Sequence, residues 1–287
     1  MQTLREAIFE YKAAGKAIGH FNFSDSNQLK AIAMAAEESG LPVIVGLSEG
    51  EREYFPLAHA RALIDLYRMQ GIRIYLNADH TYSVEKVQAA IAAGVDSVVI
   101  DGAKLSFDEN AKQAAACVTL ARASGRDVII ESELGYIGQS SKILTELPAG
   151  AALTPEMMTI ALDAKRFVTE TGIDCLAPAV GNIHGMVGVA QDPALNVARV
   201  KEIADAVGVP LVLHGASGNT EADIAACIKT GVAVVHINTE LRVIYRDSLK
   251  NTLNTNDEVA PYKFLVPSVD AMKVFLIEKM RLFAGQS

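Results

Sequence analysis

Cysteine is scarce. Three residues (Cys117, Cys175 and Cys227) stand far apart, odd in number and without C-x-x-C spacing. That pattern argues against a disulfide framework and fits buried thiols in a reducing cytoplasm. Long hydrophobic runs are missing as well. No stretch reaches the roughly 18 apolar residues that a spanning helix requires, so no membrane association is expected. Residues Met1 to Lys16 alternate charged and apolar side chains and lack the apolar centre of a signal peptide. Basic residues are outnumbered, 26 Lys and Arg against 34 Asp and Glu, giving a formal net charge of −8. Nucleic-acid binding needs a concentrated basic face and is disfavoured. A small anionic substrate is not, because helix N-termini and metal ions bind phosphate locally. With 9 Pro and 21 Gly in 287 residues, neither a collagen-like repeat nor a disordered tail fits.

What is present is a repeated alternation of short apolar runs with longer amphipathic stretches. The runs expected as strands are Ala17–Phe23, Pro42–Ser48, Arg73–Asp79, Ser97–Gly102, Asp127–Glu133, Cys175–Val180, Pro210–Gly215 and Val234–Thr239. Most are rich in Val, Ile and Leu without polar alternation, as strands covered on both faces are. Helical patterns lie between them at Ser24–Ser39, Ser83–Ala93, Asp108–Ser124, Asp192–Ala206 and Thr220–Thr230. Several begin at a capping residue and end at Gly40, Gly94, Gly125, Gly172 or Gly231. Eight such strands in one chain of this length predict a (β/α)8 TIM barrel. The rival, a doubly wound open sheet, would carry a G-x-G-x-x-G turn after its first strand, and none occurs. No linker or compositional break divides the chain, so residues 1–287 are expected to form a single domain with a C-terminal helical extension. Gly135–Leu153 has the look of a long mobile loop. Beyond Arg246 the pattern predicts a polar turn over Asn251–Glu258 and a helix over Ser268–Phe283. An exposed terminal helix pair of this kind suggests packing on a second copy.

Polar residues gather at the strand ends: Asn22, Ser48, Asp79 with His80, Glu131 with Glu133, His184, His214, and Asn238 with Thr239. In a barrel these ends share one rim, where barrel active sites lie. A lone histidine is most often a hydrogen-bonded structural residue. His80, His184 and His214, at matching rim positions on three strands, instead suit Zn2+ with a fourth position open to substrate or water. His59, in a helical segment, and His20, inside the first strand, are expected to be structural. Asp79 is either a site carboxylate or a turn cap for the following helix. The small residues Gly215, Ala216, Ser217 and Gly218, with Asn238 and Thr239, would expose backbone N–H groups near helix starts, a phosphate site in many barrels.

At these positions the sequence resembles the class II, zinc-dependent ketose-bisphosphate aldolases of the fructose-bisphosphate and tagatose-bisphosphate type. The motifs run in order along nearly the whole chain: Phe21-Asn22, Val45-Gly46-Leu47-Ser48, Asp79-His80 with Ser83, Glu131-Ser132-Glu133-Leu134-Gly135, Ala177 through Gly185, and His214 through Gly218. The resemblance implies that His80, His184 and His214 bind a catalytic zinc, with Glu133 an alternative ligand or neighbour. It implies that Asp79 is the acid/base carboxylate for the C4 hydroxyl. Gly185, Gly215, Ala216, Ser217, Asn238 and Thr239 would hold the dihydroxyacetone-phosphate end, beside a monovalent cation such as Na+ or K+. Asn22 and Ser48 would contact the aldehyde part. The implied reaction is reversible cleavage of a ketose (bis)phosphate, such as fructose 1,6-bisphosphate or tagatose 1,6-bisphosphate, to dihydroxyacetone phosphate and glyceraldehyde 3-phosphate. A cytoplasmic homodimer or homotetramer is implied with it.

Three positions depart from the family pattern. His236 stands where the family has a substrate-contacting asparagine. Gln139-Ser140-Ser141-Lys142 replaces an acidic loop segment, leaving Glu146 as the nearest carboxylate for the second proton transfer. Tyr262 stands where an arginine would meet the distal phosphate; Lys263 follows it, and a single neutral hydroxyl is no guanidinium fork. These departures keep two alternatives in view: a sugar-phosphate epimerase or isomerase on the same barrel, and a metal-binding paralogue without catalysis.

Overall fold

Short strands of branched apolar residues suit a parallel sheet covered on both faces, and the computed structural model shows that sheet closed. It describes residues 2–138, 143–144, 153–187 and 193–286. The elements are α1 (Leu4–Ala13), β1 (Ile18–Asn22), α2 (Ser26–Ser39), β2 (Val43–Leu47), α3 (Glu49–Tyr54), α4 (Leu57–Met69), β3 (Ile74–Thr81), α5 (Val84–Ala92), β4 (Ser97–Ile100), α6 (Phe107–Ala123) and β5 (Ile129–Leu134). There follow β6 (Ile143–Leu144), α7 (Ala161–Thr171), β7 (Cys175–Pro178), β8 (Met186–Val187), α8 (Val197–Val207), β9 (Leu211–Leu213), α9 (Glu221–Thr230), β10 (Val232–Ile237), α10 (Thr239–Thr255), α11 (Pro261–Phe264) and α12 (Val266–Phe283). Eight parallel strands form a closed barrel in the order β1-β10-β9-β7-β5-β4-β3-β2, with helices between them, so the fold is a (β/α)8 TIM barrel. Each expected strand run overlaps one barrel strand. The two-residue strands β6 and β8 pair with each other outside the barrel.

The helix caps follow from the sequence. Asp25 accepts from the amides of Asn27 and Gln28 to start α2, Ser83 accepts from Lys86 to start α5, and Ser106 and Glu109 form a capping box at α6. α8 starts at the Asn196 cap, four residues later than expected; Asp192 lies outside the described residues. The N-terminal alternation of charged and apolar residues proves to be α1, opened by a Thr3–Glu6 capping box. Its Arg5 reaches Asp127 at 2.7 Å and Asp174 at 2.5 Å, just before β5 and β7, so α1 lies at the N-terminal end of the barrel, away from the rim.

The C-terminal region differs from expectation in two respects. α10 continues to Thr255, through the position of the turn expected from Asn251. Thr252 and Thr255 donate their hydroxyls to the carbonyls of Ser248 and Asn251, so these polar side chains are satisfied along the helix itself. The last helix does not project from the barrel either. α12 packs along α2, α9 and β1, burying Met272, Leu276, Met280 and Phe283, and the Phe283 carbonyl accepts from Ala17 at 2.9 Å. α12 therefore completes the outer ring of helices, and its apolar stripe needs no second copy to cover it. Among the described residues, no helix is long and apolar enough to cross a membrane.

Candidate active site

Successive residues of a strand point to opposite faces, so the polar pairs Asn77 and Asp79 on β3, Glu131 and Glu133 on β5, and His20 and Asn22 on β1 all face one side, and all are buried. On β3 the ladder to β4 slips between Ala78 and Thr81. There His80 takes φ +36°, the one non-glycine positive φ among the described residues. Such an irregularity at a rim re-aims side chains at a site, and the strained backbone is held by its surroundings. Gly215 after β9 has φ +60°, and a Cβ there would stand 2.2 Å from the Ile183 carbonyl oxygen; only glycine lets this turn lie against the segment carrying His184.

These constraints bring three imidazoles and a carboxylate together. The rings of His80, His184 and His214 have centroids 4.7 to 5.7 Å apart, and one ligand atom from each, with one from Glu133, lies within 4.8 Å of the others. Each ring is anchored through one nitrogen. Nδ1 of His80 lies 3.1 Å from Asp101 Oδ2, Nδ1 of His184 lies 2.8 Å from the Gly138 carbonyl, and Nε2 of His214 lies 2.6 Å from Glu131 Oε1. An outer partner of this kind fixes tautomer and orientation in metal-ligating histidines. Glu133 Oε1 and His214 Nδ1 are buried, 3.1 Å apart, yet not aligned for a hydrogen bond to any group. Orphaned polar atoms converging in this way fit a bound cation, and a set of three imidazoles and one carboxylate suits a divalent metal.

The electrostatics agree. Burial alone would lower the His80 pKa, but Asp79 and Glu133 outweigh it and raise it to about 9. Burial would raise Glu133, yet His80 and His214 bring it down to about 2. Burial, followed by the nearby charge of His80, lowers His184 to about 4. Burial would also raise Asp79, but His80, His20 and His214 hold it well below the usual carboxylate range, helped by an Asn22 hydrogen bond of 2.9 Å.

A cavity of about 380 Å3 opens above this cluster, lined by Asn22, Ser48, Glu51, Asp79, His80, Tyr82, His184, Gly185, His214, Gly215, Ser217, His236, Asn238, Thr239 and Arg242. Most residues expected at the site therefore meet on one surface. Glu133 sits behind it in the histidine cluster. Ala216 is 1% exposed, off the cavity wall, and its N–H donates to the His236 carbonyl at 3.3 Å. The Gln139–Lys142 segment and Glu146 lie outside the described residues. Tyr262 is 75% exposed and Lys263 pairs with Glu258 at 3.0 Å; neither lines the cavity.

Several residues enter the site without a role read from sequence. Glu131, Asp101 and Arg242 are the main ones. For Glu131 a signal exists, since i and i+2 on a strand share a face. For Asp101 the signal is its place at the end of the apolar run Ser97–Gly102; for Arg242 there is no local signal. Glu51 also enters, accepting from Asn22 Nδ2 at 2.9 Å and from Ser48 Oγ at 2.8 Å.

Fold and site together define a (β/α)8 barrel with a candidate metal centre on its C-terminal rim. Residues 2–287 match the family model described as fructose-bisphosphate aldolase class-II. A Bacillus subtilis (strain 168) protein named "Probable fructose-bisphosphate aldolase" is 35% identical over 292 residues, covering 99% of this chain and 98% of that one. The fructose-bisphosphate aldolase of Geobacillus stearothermophilus is 34% identical over 291 residues, covering 99% and 96%. Among solved structures, the YdjI aldolase from Escherichia coli K12 superposes with a TM-score of 0.83 at 29% identity, over 98% of this chain and 96% of that one. The chain belongs to the class-II fructose-bisphosphate aldolase family and is an aldolase, a carbon–carbon lyase. That family is metal-dependent in general, and its substrates are sugar phosphates.

Proposed function

We propose that this aldolase reversibly cleaves a ketose 1-phosphate or 1,6-bisphosphate, of the fructose or tagatose type, into dihydroxyacetone phosphate and an aldehyde such as glyceraldehyde 3-phosphate. The observation that carries this reading is the set of three imidazoles, each anchored at one nitrogen, whose ligand atoms gather with Glu133 beside Asp79. His80, His184 and His214 would hold Zn2+, with Glu133 as a fourth donor. Bound there, the ion supplies a Lewis acid for the negative charge that develops on the ketone and adjacent hydroxyl oxygens.

The chain's own groups do the rest. Asp79, ionised and hydrogen-bonded by Asn22, takes the proton of the C4 hydroxyl as the C3–C4 bond breaks. The electron pair of that bond passes into the enediolate of dihydroxyacetone phosphate, and C4 leaves as an aldehyde. A proton returned to C3 completes the product; the sequence assigns that transfer to Glu146. Gly185, Gly215, Ser217, Asn238 and Thr239 form the cavity wall suited to the phosphate end, with a monovalent cation (Na+ or K+) beside it, and Asn22, Ser48 and His236 face the remainder. One domain over residues 1–287 would carry the reaction in the cytoplasm, where three buried free thiols remain reduced. Homodimers or homotetramers belong to the same reading; the exposed apolar Leu253 of α10 supports it, and sedimentation tests it.

The deciding experiment combines metal analysis with an assay of dihydroxyacetone phosphate release over a panel of ketose 1-phosphates and 1,6-bisphosphates. Release that a chelator abolishes and Zn2+ restores is expected. A zinc-loaded protein that releases nothing from any member of the panel overturns the reading.

A further inference from the structure

Beneath the cavity the polar wall continues into the barrel as a column of three imidazoles. His236 on β10 stacks on His20 of β1 with centroids 3.5 Å apart and planes within 5°. Its other face meets His214 at 4.0 Å and 26°. His20 and His236 are register partners across neighbouring strands. His20 is 0% exposed and does not reach the cavity. Its Nε2 lies 3.2 Å from Asn77 Oδ1, and Asn77 in turn donates to Ser97 Oγ at 2.7 Å. Space for its ring exists because residue 46 is glycine: a Cβ there would stand 2.3 Å from His20 Cε1.

The trio His20, Asp79 and His236 also brings ligand atoms within 4.8 Å, which would suggest a second metal centre. The ring geometry speaks against one. Nitrogen lone pairs lie in the ring plane, so two stacked, nearly parallel rings with centroids 3.5 Å apart aim them within separate planes that do not converge on one ion. The stack has a different consequence. The outer torsion of a histidine side chain is broad and roughly two-fold, so an unclamped ring swings easily. Held on both faces, His236 has one orientation, with its edge on the cavity and Nδ1 3.8 Å from Asp79 Oδ1.

We propose that His20 is a positioning residue that acts through His236: by stacking, it fixes the plane in which His236 meets the substrate beside Asp79, so that the two histidines work as one unit. The proposal rests on the aldolase reading above for its substrate, though not for its structural part. It also accounts for a histidine at the family's asparagine position, since a ring there gains a stacking partner that a carboxamide would lack.

The test compares His20→Leu, which fills the space without a flat ring, with His20→Phe, which restores a flat ring and lacks the Asn77 hydrogen bond. Both are made in the native chain and in a His236→Asn background. On the ketose phosphate that the native enzyme cleaves, His20→Leu is expected to lower kcat/KM about 10- to 100-fold, as for misplacement of a substrate-contacting group. Bound metal per chain stays unchanged, and His20→Phe recovers most of the loss. In the His236→Asn background the same substitution costs less than about 3-fold, because coupled residues are not additive. In metal-free protein without substrate, the His236 ring-proton resonance moves downfield in His20→Leu, through loss of the stacked ring current, and stays upfield in His20→Phe. Equal losses in both backgrounds, no loss in either, or an unmoved His236 resonance overturns the proposal. A native enzyme that cleaves no ketose phosphate sinks the aldolase reading alone, and the substrate-free resonance still decides whether His20 sets His236. If His20→Leu does not fold, a His20→Phe protein that loses as much as about 10-fold overturns the stacking role by itself.

Discussion

Glu131 Oε1 lies 2.6 Å from Nε2 of His214, on the ring edge opposite the Nδ1 that meets Glu133 at 3.1 Å. The carboxylate therefore settles which nitrogen carries the proton and which offers its lone pair to the shared centre. Glu131→Gln is expected to lower metal affinity about 10- to 100-fold, the usual cost of losing such an outer partner. Competition against a chromogenic chelator measures this, with far-ultraviolet circular dichroism as the check on the barrel. Unchanged affinity would remove Glu131 from the site.

Asp79 faces the cavity beside the cluster and takes an Asn22 hydrogen bond at 2.9 Å. Asp79→Asn keeps the shape and removes the carboxylate proposed above as the base. A fall in kcat of about 10²- to 10⁴-fold is expected, with metal content per chain unchanged. Should the variant also lose its metal, Asp79 would belong to the ligand set.

Without metal the cluster holds protons in its place. His80 is raised to about 9, and His214 stands well above its ordinary value because Glu131 and Glu133 outweigh its burial. Both rings are thus protonated at pH 7, and a metal must displace those protons to reach the lone pairs. Metal affinity is expected to rise with pH from neutrality through about 9, the sign set by raised folded-state values. Calorimetric titration of zinc in buffers of different ionisation enthalpy should show net proton release at pH 7. Release of no proton would mean that the rings are already neutral.

Arg242 is the one Arg or Lys lining the cavity among the described residues, and the charge of Glu51, on the same wall, acts on it. With Tyr262 turned to solvent, we propose that Arg242, which donates to Thr239 Oγ1 at 3.3 Å and feels the charge of Glu51, meets an anionic far end of the substrate. A charge-assisted hydrogen bond contributes about 1.5–3 kcal/mol. Arg242→Gln is therefore expected to raise KM roughly 10- to 100-fold for a 1,6-bisphosphate and to leave a ketose 1-phosphate nearly unaffected. Equal effects on both substrates would place Arg242 elsewhere.

Much of this arrangement is legible in the chain. Eight apolar runs point to the barrel because β-branched residues without alternation suit strands covered on both faces, and a right-handed crossover puts all their ends on one rim. Asp79-His80, His184 and His214 are legible for the same reason, as polar residues at the ends of apolar strands. The reach of α10 is not, because Thr252 and Thr255 satisfy their hydroxyls within the helix. Nor is the docking of α12, whose apolar stripe fits an exposed partner face as well as its own barrel.

The sequence by itself determined the barrel, the order of its strands and the residue types at its rim, since periodicity and local capping depend on neighbours a few positions apart. Tertiary structure alone decided which nitrogen of each histidine takes an anchoring partner, that Asp101 and Glu131 stand beside the rings, and that His20 lies flat against His236. Those relationships join residues 21, 83 and 216 positions apart, as for His80 with Asp101, Glu131 with His214 and His20 with His236. Only closure of the barrel brings such residues to contact distance, because it sets β1 beside β10 and fixes the register between them.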